Sequence, residues 1–145
     1  EKLPQLERIS ESFGIIGGKL VKKSLLLGIH FNERTQLFEN MEFWFKLYLL
    51  SNRIAFVNKE IYNFRLQDSE ARKLYNAKNY VDDIRVRMDR IALLVAKGYD
   101  TKPYLENLKN YLNGRIQYLE QNGEGQTTIA RWIKEQYYLL TNQNH

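Results

Sequence analysis

A chain of 145 residues with 43% hydrophobic and 27% charged content is long enough to bury a core and too apolar for disorder. It has no cysteine, which excludes disulfides, thiolate metal sites and cysteine nucleophiles and makes a reducing cytoplasm the default location. The net charge of +5 comes from 22 Lys and Arg interspersed with 17 Asp and Glu, and without zinc-finger spacing, an aromatic RNA-binding signature or a Gly-rich phosphate loop it describes a mixed solvated surface, not a dedicated nucleic-acid interface. A modest attraction to anionic lipid or phosphorylated substrates is compatible with that charge. No run approaches the length of a membrane span, and residues 1–10 lack the basic and apolar regions of a signal peptide.

Leu3, Leu6 and Ile9 recur at helical spacing behind Pro4, which predicts a short helix over residues 4–12. Gly17 and Gly18 break the chain, and Lys19, Leu20, Val21, Leu25 and Leu26 resume a helical pattern that Gly28 closes. His30 has no second ligand nearby and reads as a packed or solvent-facing ring.

Residues 38–69 are the centre of the chain. Glu39 and Asn40 open a run of Met41, Phe43, Trp44, Phe45, Leu47, Tyr48, Leu49 and Leu50, a helix apolar nearly all round and therefore buried. The pair is either a cap with a dipole-complementing charge or a working group at the helix mouth. Glu42 shares a face with Glu39 and is also spaced to pair with Lys46. Residues 53–57 (RIAFV) and 60–64 (EIYNF) are β-branched and aromatic runs separated by Asn58 and Lys59, as in a short hairpin or bent strand. The polar residues 65–69 follow, either an exposed connection or an anion-contacting loop in which the Arg65 fork and the Ser69 hydroxyl donate.

In the second half, Leu74, Ala77, Val81, Ile84, Met88, Ile91 and Val95 form a regular seam, with Asp82, Asp83, Arg85, Arg87 and Arg90 outside it. Gly98 ends that helix and Pro103 restarts the next, which carries Leu105, Leu108, Leu112, Ile116 and Leu119 as far as Asn122 and Gly123. After Gly125, Ile129, Ile133, Tyr137 and Leu140 form a third stripe beside Trp132 and Tyr138. Short connections make these helices antiparallel neighbours in a bundle. The seam is its core, or else a docking surface for a partner subunit, an acceptor chain or a membrane face.

The order KLVKKSLLLGIHF, ENMEFWFKLYLL, RIAFV and EIYNFRLQDS over residues 17–69 resembles the C-terminal part of family 2 glycosyltransferases of bacterial surface-polysaccharide synthesis. The resemblance implies a GT-A fold whose nucleotide-binding half, with its Asp-x-Asp metal motif, lies upstream; no Asp-x-Asp occurs in this chain. The expected fold is therefore mainly α: residues 1–70 supply short strands and helices of the acceptor-side part of a GT-A domain, and residues 71–145 a C-terminal three-helix bundle. The implied activity moves a sugar from a nucleotide-sugar donor to a glycan or lipid-linked acceptor, and this portion is expected to be inactive alone. The family's Glu-Asp pair falls on Glu39 and Asn40, where its Asp is the candidate catalytic base. An amide cannot take up that proton, which leaves Glu39 in the role, another mode of acceptor activation, or an impaired member. Arg65 and Ser69 match the family's Arg and Ser and become contacts to a donor diphosphate or acceptor phosphate, with Glu42 and Lys19 as further substrate-binding candidates. A divalent metal, Mg or Mn, is implied for the full-length enzyme with its ligands outside this chain, as are a peripheral position at the inner face of the membrane and compatibility with homo-oligomers. The rival expectation is a non-catalytic helical protein-interaction module in which residues 38–64 are only packing core.

Overall fold

In the computed structural model, residues 17–35, 37–63 and 77–142 are described. The backbone clusters into two compact units, Glu1–Ser69 and Glu70–His145. Among the described residues the secondary structure is helical throughout: a 3-10 helix at Lys23–Leu26, then α1 at Glu39–Leu50, α2 at Ala77–Ala96, α3 at Lys102–Gln121 and α4 at Thr128–Thr141.

In the first unit α1 is the buried element. Phe38 precedes it in the left-handed region at φ 72°, a conformation that costs a non-glycine residue about 1 kcal/mol, and its carbonyl accepts the first helical bond from Glu42 N at 3.2 Å. Glu39 and Glu42 occupy the first turn, where their charge complements the helix dipole. Ser51 closes the other end, donating to the Leu47 carbonyl from its backbone N at 2.9 Å and from its hydroxyl at 2.7 Å. Trp44, Phe45, Leu47 and Leu49 are buried as the apolar run predicts, but Phe43 and Tyr48 are only half-buried and Leu50 is 46% exposed, so burial is not all round.

The flanks of α1 depart from expectation. Only Lys23–Leu26 of the pattern beginning at Lys19 closes into helical turns, and Leu20 and Leu27 stay exposed, because so short an apolar run has too little buried surface to offset the cost of nucleating a helix. The two expected strands do not form either: residues 53–63 carry no strand, and residue 64 lies outside the described residues. Phe56, Val57, Ile61 and Tyr62 are more than half exposed, and these β-prone residues find no ladder partner among the described residues. Tyr62 is nonetheless anchored, since its ring lies against Gly17 in the space a side chain there would need. The expected helix at residues 4–12 falls outside the described residues.

In the second unit each of α2, α3 and α4 touches the other two. Tyr80, Ile84, Leu108, Leu112, Leu119, Ala130 and Ile133 form the core, with Met88, Ile91, Ile116 and Trp132 among the side chains packed around it. The seam expected on α2 holds at Ile84, Met88 and Ile91, which sit in or against the core, and departs at its end: Val95 is 59% exposed and Leu94 fully buried, while Asp83, expected outside, is 6% exposed. Leu74 and the side chain of Ala77 lie outside the described residues. The end of α2 accounts for Leu94. Gly98, at φ 74°, lets Tyr99 N reach the Leu94 carbonyl at 3.0 Å and Gly98 N the Val95 carbonyl at 2.9 Å, a Schellman closure that turns the chain over Leu94. Helix α3 ends identically, with Gly123 at φ 75° and Glu124 N bonded to the Leu119 carbonyl at 2.8 Å, again over a buried leucine.

The helix starts are also satisfied locally. Asp100 accepts from Lys102 N at 3.0 Å ahead of α3, whose first turn holds Pro103, and Thr127 accepts from Ala130 N at 3.2 Å as the N-cap of α4. Lys134 ties α4 to α3 through Glu120 at 2.7 Å and reaches the Gly125 carbonyl at 3.3 Å. Replacing the fully buried Leu112 with alanine should lower stability by about 2–5 kcal/mol, whereas Leu139→Ala, at a 57% exposed site, should change it little; urea unfolding followed by circular dichroism measures both.

Candidate functional site

The candidate residues of the first unit gather at the start of α1. Glu39 is its first residue, half-buried, and its carboxylate meets no hydrogen-bond donor or cation among the described residues. Asn40 is not the cap but the second helical residue; its Oδ1 accepts from Met41 N at 2.9 Å, taking up one of the donors a helix start leaves unpaired. Glu42 is buried and fully engaged, one carboxylate oxygen paired with Lys46 and the other accepting from Asn32 Nδ2 at 3.3 Å. Its employment is therefore the ion pair within α1.

Lys19 reaches the same helix from the preceding segment, its ammonium 5.1 Å from the centre of the Trp44 ring. Burial pulls its pKa below the ordinary lysine value, since desolvation penalises the charged form. Around it the aromatics are in register: Phe31 stacks on Phe43 at 4.0 Å, Phe43 meets Trp44 edge-on at 5.7 Å, and Trp44 lies against Tyr48 at 5.9 Å. The Trp44 indole N–H is buried without an acceptor among the described residues. The structure thus brings Lys19 onto the helix that carries Glu39, Asn40 and Glu42. Arg65 and Ser69 lie outside the described residues.

A second polar constellation belongs to the second unit and runs between α2 and α3. Asp83 is buried and accepts from Arg87 Nε at 3.0 Å, while Arg87 also donates to Asn107 Oδ1 at 3.2 Å. The Arg87 guanidinium sits 4.1 Å from the Tyr111 ring centre, and that of Arg115 sits 4.8 Å from Tyr80 and 4.9 Å from Tyr111. Tyr80 meets Tyr118 edge-on at 6.2 Å. Rings and guanidinium planes therefore alternate along the seam, each a cation–π pair. The Tyr111 hydroxyl is held well above the usual tyrosine pKa, first by burial, then by the charge of Asp83 and the hydrogen bond to it, against the opposing pull of Arg115 and Arg87.

None of these second-unit residues was a sequence candidate. The i,i+4 spacings of Asp83 with Arg87 and of Tyr111 with Arg115 are visible in the chain. That they face one another follows only from the antiparallel register, in which residues early in α2 meet residues late in α3.

Among the described residues no cluster of three or more His, Cys, Asp or Glu could hold a metal ion, and no helix is long and apolar enough to cross a membrane. Comparison with known proteins finds no matching family model, no matching curated protein and no matching solved structure.

A tyrosine with a raised folded-state pKa contributes stability at neutral pH that is lost as pH climbs past the unfolded value near 10, because only the unfolded chain then gives up the proton. The wild-type chain should therefore lose stability on alkalinisation beyond pH 10 more steeply than Tyr111→Phe, as measured by denaturant unfolding across that range. In ultraviolet absorbance titration the tyrosinate signal that develops at the alkaline end should lose amplitude in that variant.

Proposed function

We propose that this chain is the acceptor-side, C-terminal portion of an inverting family 2 glycosyltransferase that moves a sugar from a nucleotide-sugar donor to a glycan or lipid-linked acceptor in surface-polysaccharide synthesis. Support comes from the motif order along residues 17–69 and, in the structure, from one observation. Glu39 opens a buried helix as a half-buried carboxylate with no partner among the described residues, while its neighbour Glu42 is neutralised by Lys46. A carboxylate so placed is available to accept a proton.

In the proposed step Glu39 takes the proton from an acceptor hydroxyl as that oxygen attacks the anomeric carbon. The new bond to the acceptor forms while the bond to the nucleoside diphosphate breaks, and the configuration inverts. Asn40, its amide spent on the helix start, orients the first turn and takes no proton. Arg65 and Ser69 are assigned to the departing diphosphate or an acceptor phosphate, and Lys19 to the rim of the same site. The resemblance also implies Mg or Mn, but the described acidic side chains do not fit that role, since none cluster and Glu42 is already paired, so no step is routed through a metal in this chain. A cytoplasmic position, peripheral at the inner membrane face, belongs to the same proposal.

The second reading is a non-catalytic helical interaction module, favoured by the exposure of Phe56, Val57, Ile61 and Tyr62 on one short segment, the kind of apolar surface that marks a protein partner. A nucleotide-binding sheet with an Asp-x-Asp encoded upstream distinguishes the transferase from the module. In the full-length protein Glu39→Gln should cut turnover by roughly 10²-fold or more with little change in acceptor KM. Undiminished activity of that variant removes Glu39 from the chemistry, and Asn40→Asp tests whether a base at the adjacent position raises the rate.

A further inference from the structure

Arg115 differs from the other charged residues of the α2–α3 seam in what it lacks. Asp83 is shared between Arg87 and the Tyr111 hydroxyl, so the buried acid of the seam is committed. Glu120, one turn further along α3, is paired with Lys134. Arg115 itself has no ion pair and no hydrogen bond among the described residues; its only neighbours in the interaction network are the faces of Tyr80 and Tyr111. Its Nε is buried without an acceptor, whereas its terminal nitrogens are not sealed in the same way.

A guanidinium already held 4.8 Å from the Tyr80 ring centre and 4.9 Å from that of Tyr111 is restrained before any ligand arrives, so part of the entropy that an arginine side chain normally loses on engaging one is already spent. With Nε buried, the terminal N–H groups are the pair that matches two oxygens of one anion. Tyr118, three residues on and so on the same helix face, is 48% exposed, meets Tyr80 edge-on at 6.2 Å and carries a hydroxyl able to donate. With Asp83 committed to Arg87, no carboxylate among the described residues compensates the charge of Arg115.

We propose that Arg115 is the receptor for a phosphate group, gripped by its terminal guanidinium nitrogens with the Tyr118 hydroxyl alongside. The site lies wholly within the second unit and stands independently of the transferase reading. Phosphate is favoured over carboxylate because its tetrahedral oxygens serve the fork and the tyrosine donor together. It is presented either by a soluble phosphorylated compound or by an anionic lipid headgroup.

The test titrates the full chain with sodium pyrophosphate, and with sodium chloride at matched ionic strength, following the Arg115 Nε–H signal in nitrogen–proton correlation spectra. Because that nitrogen is buried, its proton should exchange slowly enough to be seen. The expected result is a saturable shift with pyrophosphate but not chloride, with binding weakened at least about tenfold in Arg115→Gln and less in Tyr118→Phe. Circular dichroism checks that Arg115→Gln folds; if it does not, Arg115→Lys, which keeps the charge but not the fork, should also bind more weakly than wild type. Co-sedimentation with phosphatidylglycerol vesicles, but not phosphatidylcholine vesicles, lost in the same variants, assigns the phosphate to lipid. A pyrophosphate response without co-sedimentation assigns it to a soluble compound. An equal shift with chloride, wild-type affinity in the folded Arg115 variants, or no response to either probe overturns the proposal.

Discussion

Each unit of this protein is arranged around a buried carboxylate that has to be answered. Glu42 in the first and Asp83 in the second are 5% and 6% exposed, and an isolated charge at either depth would cost several kcal/mol. The solutions run parallel. A base four residues on, Lys46 or Arg87, supplies the counter-charge along the same helix. An amide from another segment then completes the group: Asn32 donates to Glu42 directly, whereas Asn107 accepts from Arg87. Removing the base alone would leave a buried charge unpaired, a loss of about 3–5 kcal/mol.

That constraint explains what could and could not be read along the chain. The positions of α1 to α4 follow from apolar spacing and from Gly98, Pro103, Gly123 and Gly125, because caps and stops are local chemistry. The burial of α2 is only partly local. Its apolar stripe is legible at Ile84, Met88 and Ile91, but the exchange of Leu94 for Val95 at its end and the inward turn of Asp83 toward Arg87 and Tyr111 depend on the Schellman closure and on the neighbouring helix. Residues 53–57 and 60–63 misled for the converse reason: β-branched and aromatic residues describe what a strand is made of, but a strand also needs a neighbour, and sequence composition does not supply one.

The candidate site was legible to a similar depth. The helix mouth at Glu39 and Asn40 stands where the apolar run predicts, and the spacing of Glu42 to Lys46 pointed correctly to an ion pair. The division of labour between the neighbouring acids was not visible, because it depends on Asn32 reaching ten residues ahead to Glu42 and on no equivalent donor reaching Glu39 among the described residues. The tyrosine–arginine ladder was hidden altogether. Its members are spread over two helices and ordinary in composition, and only antiparallel packing makes them one object.

The bare stretch at residues 53–63 has a consequence for the protein in bulk. Backbone whose amides and carbonyls join no ladder among the described residues, with Phe56, Val57 and Ile61 exposed along it, is the kind of segment onto which a second molecule can add a strand. Arg53, Lys59 and Glu60, all exposed, interrupt those apolar side chains with charges that a second strand would have to desolvate, the device by which open backbone is kept from pairing with itself.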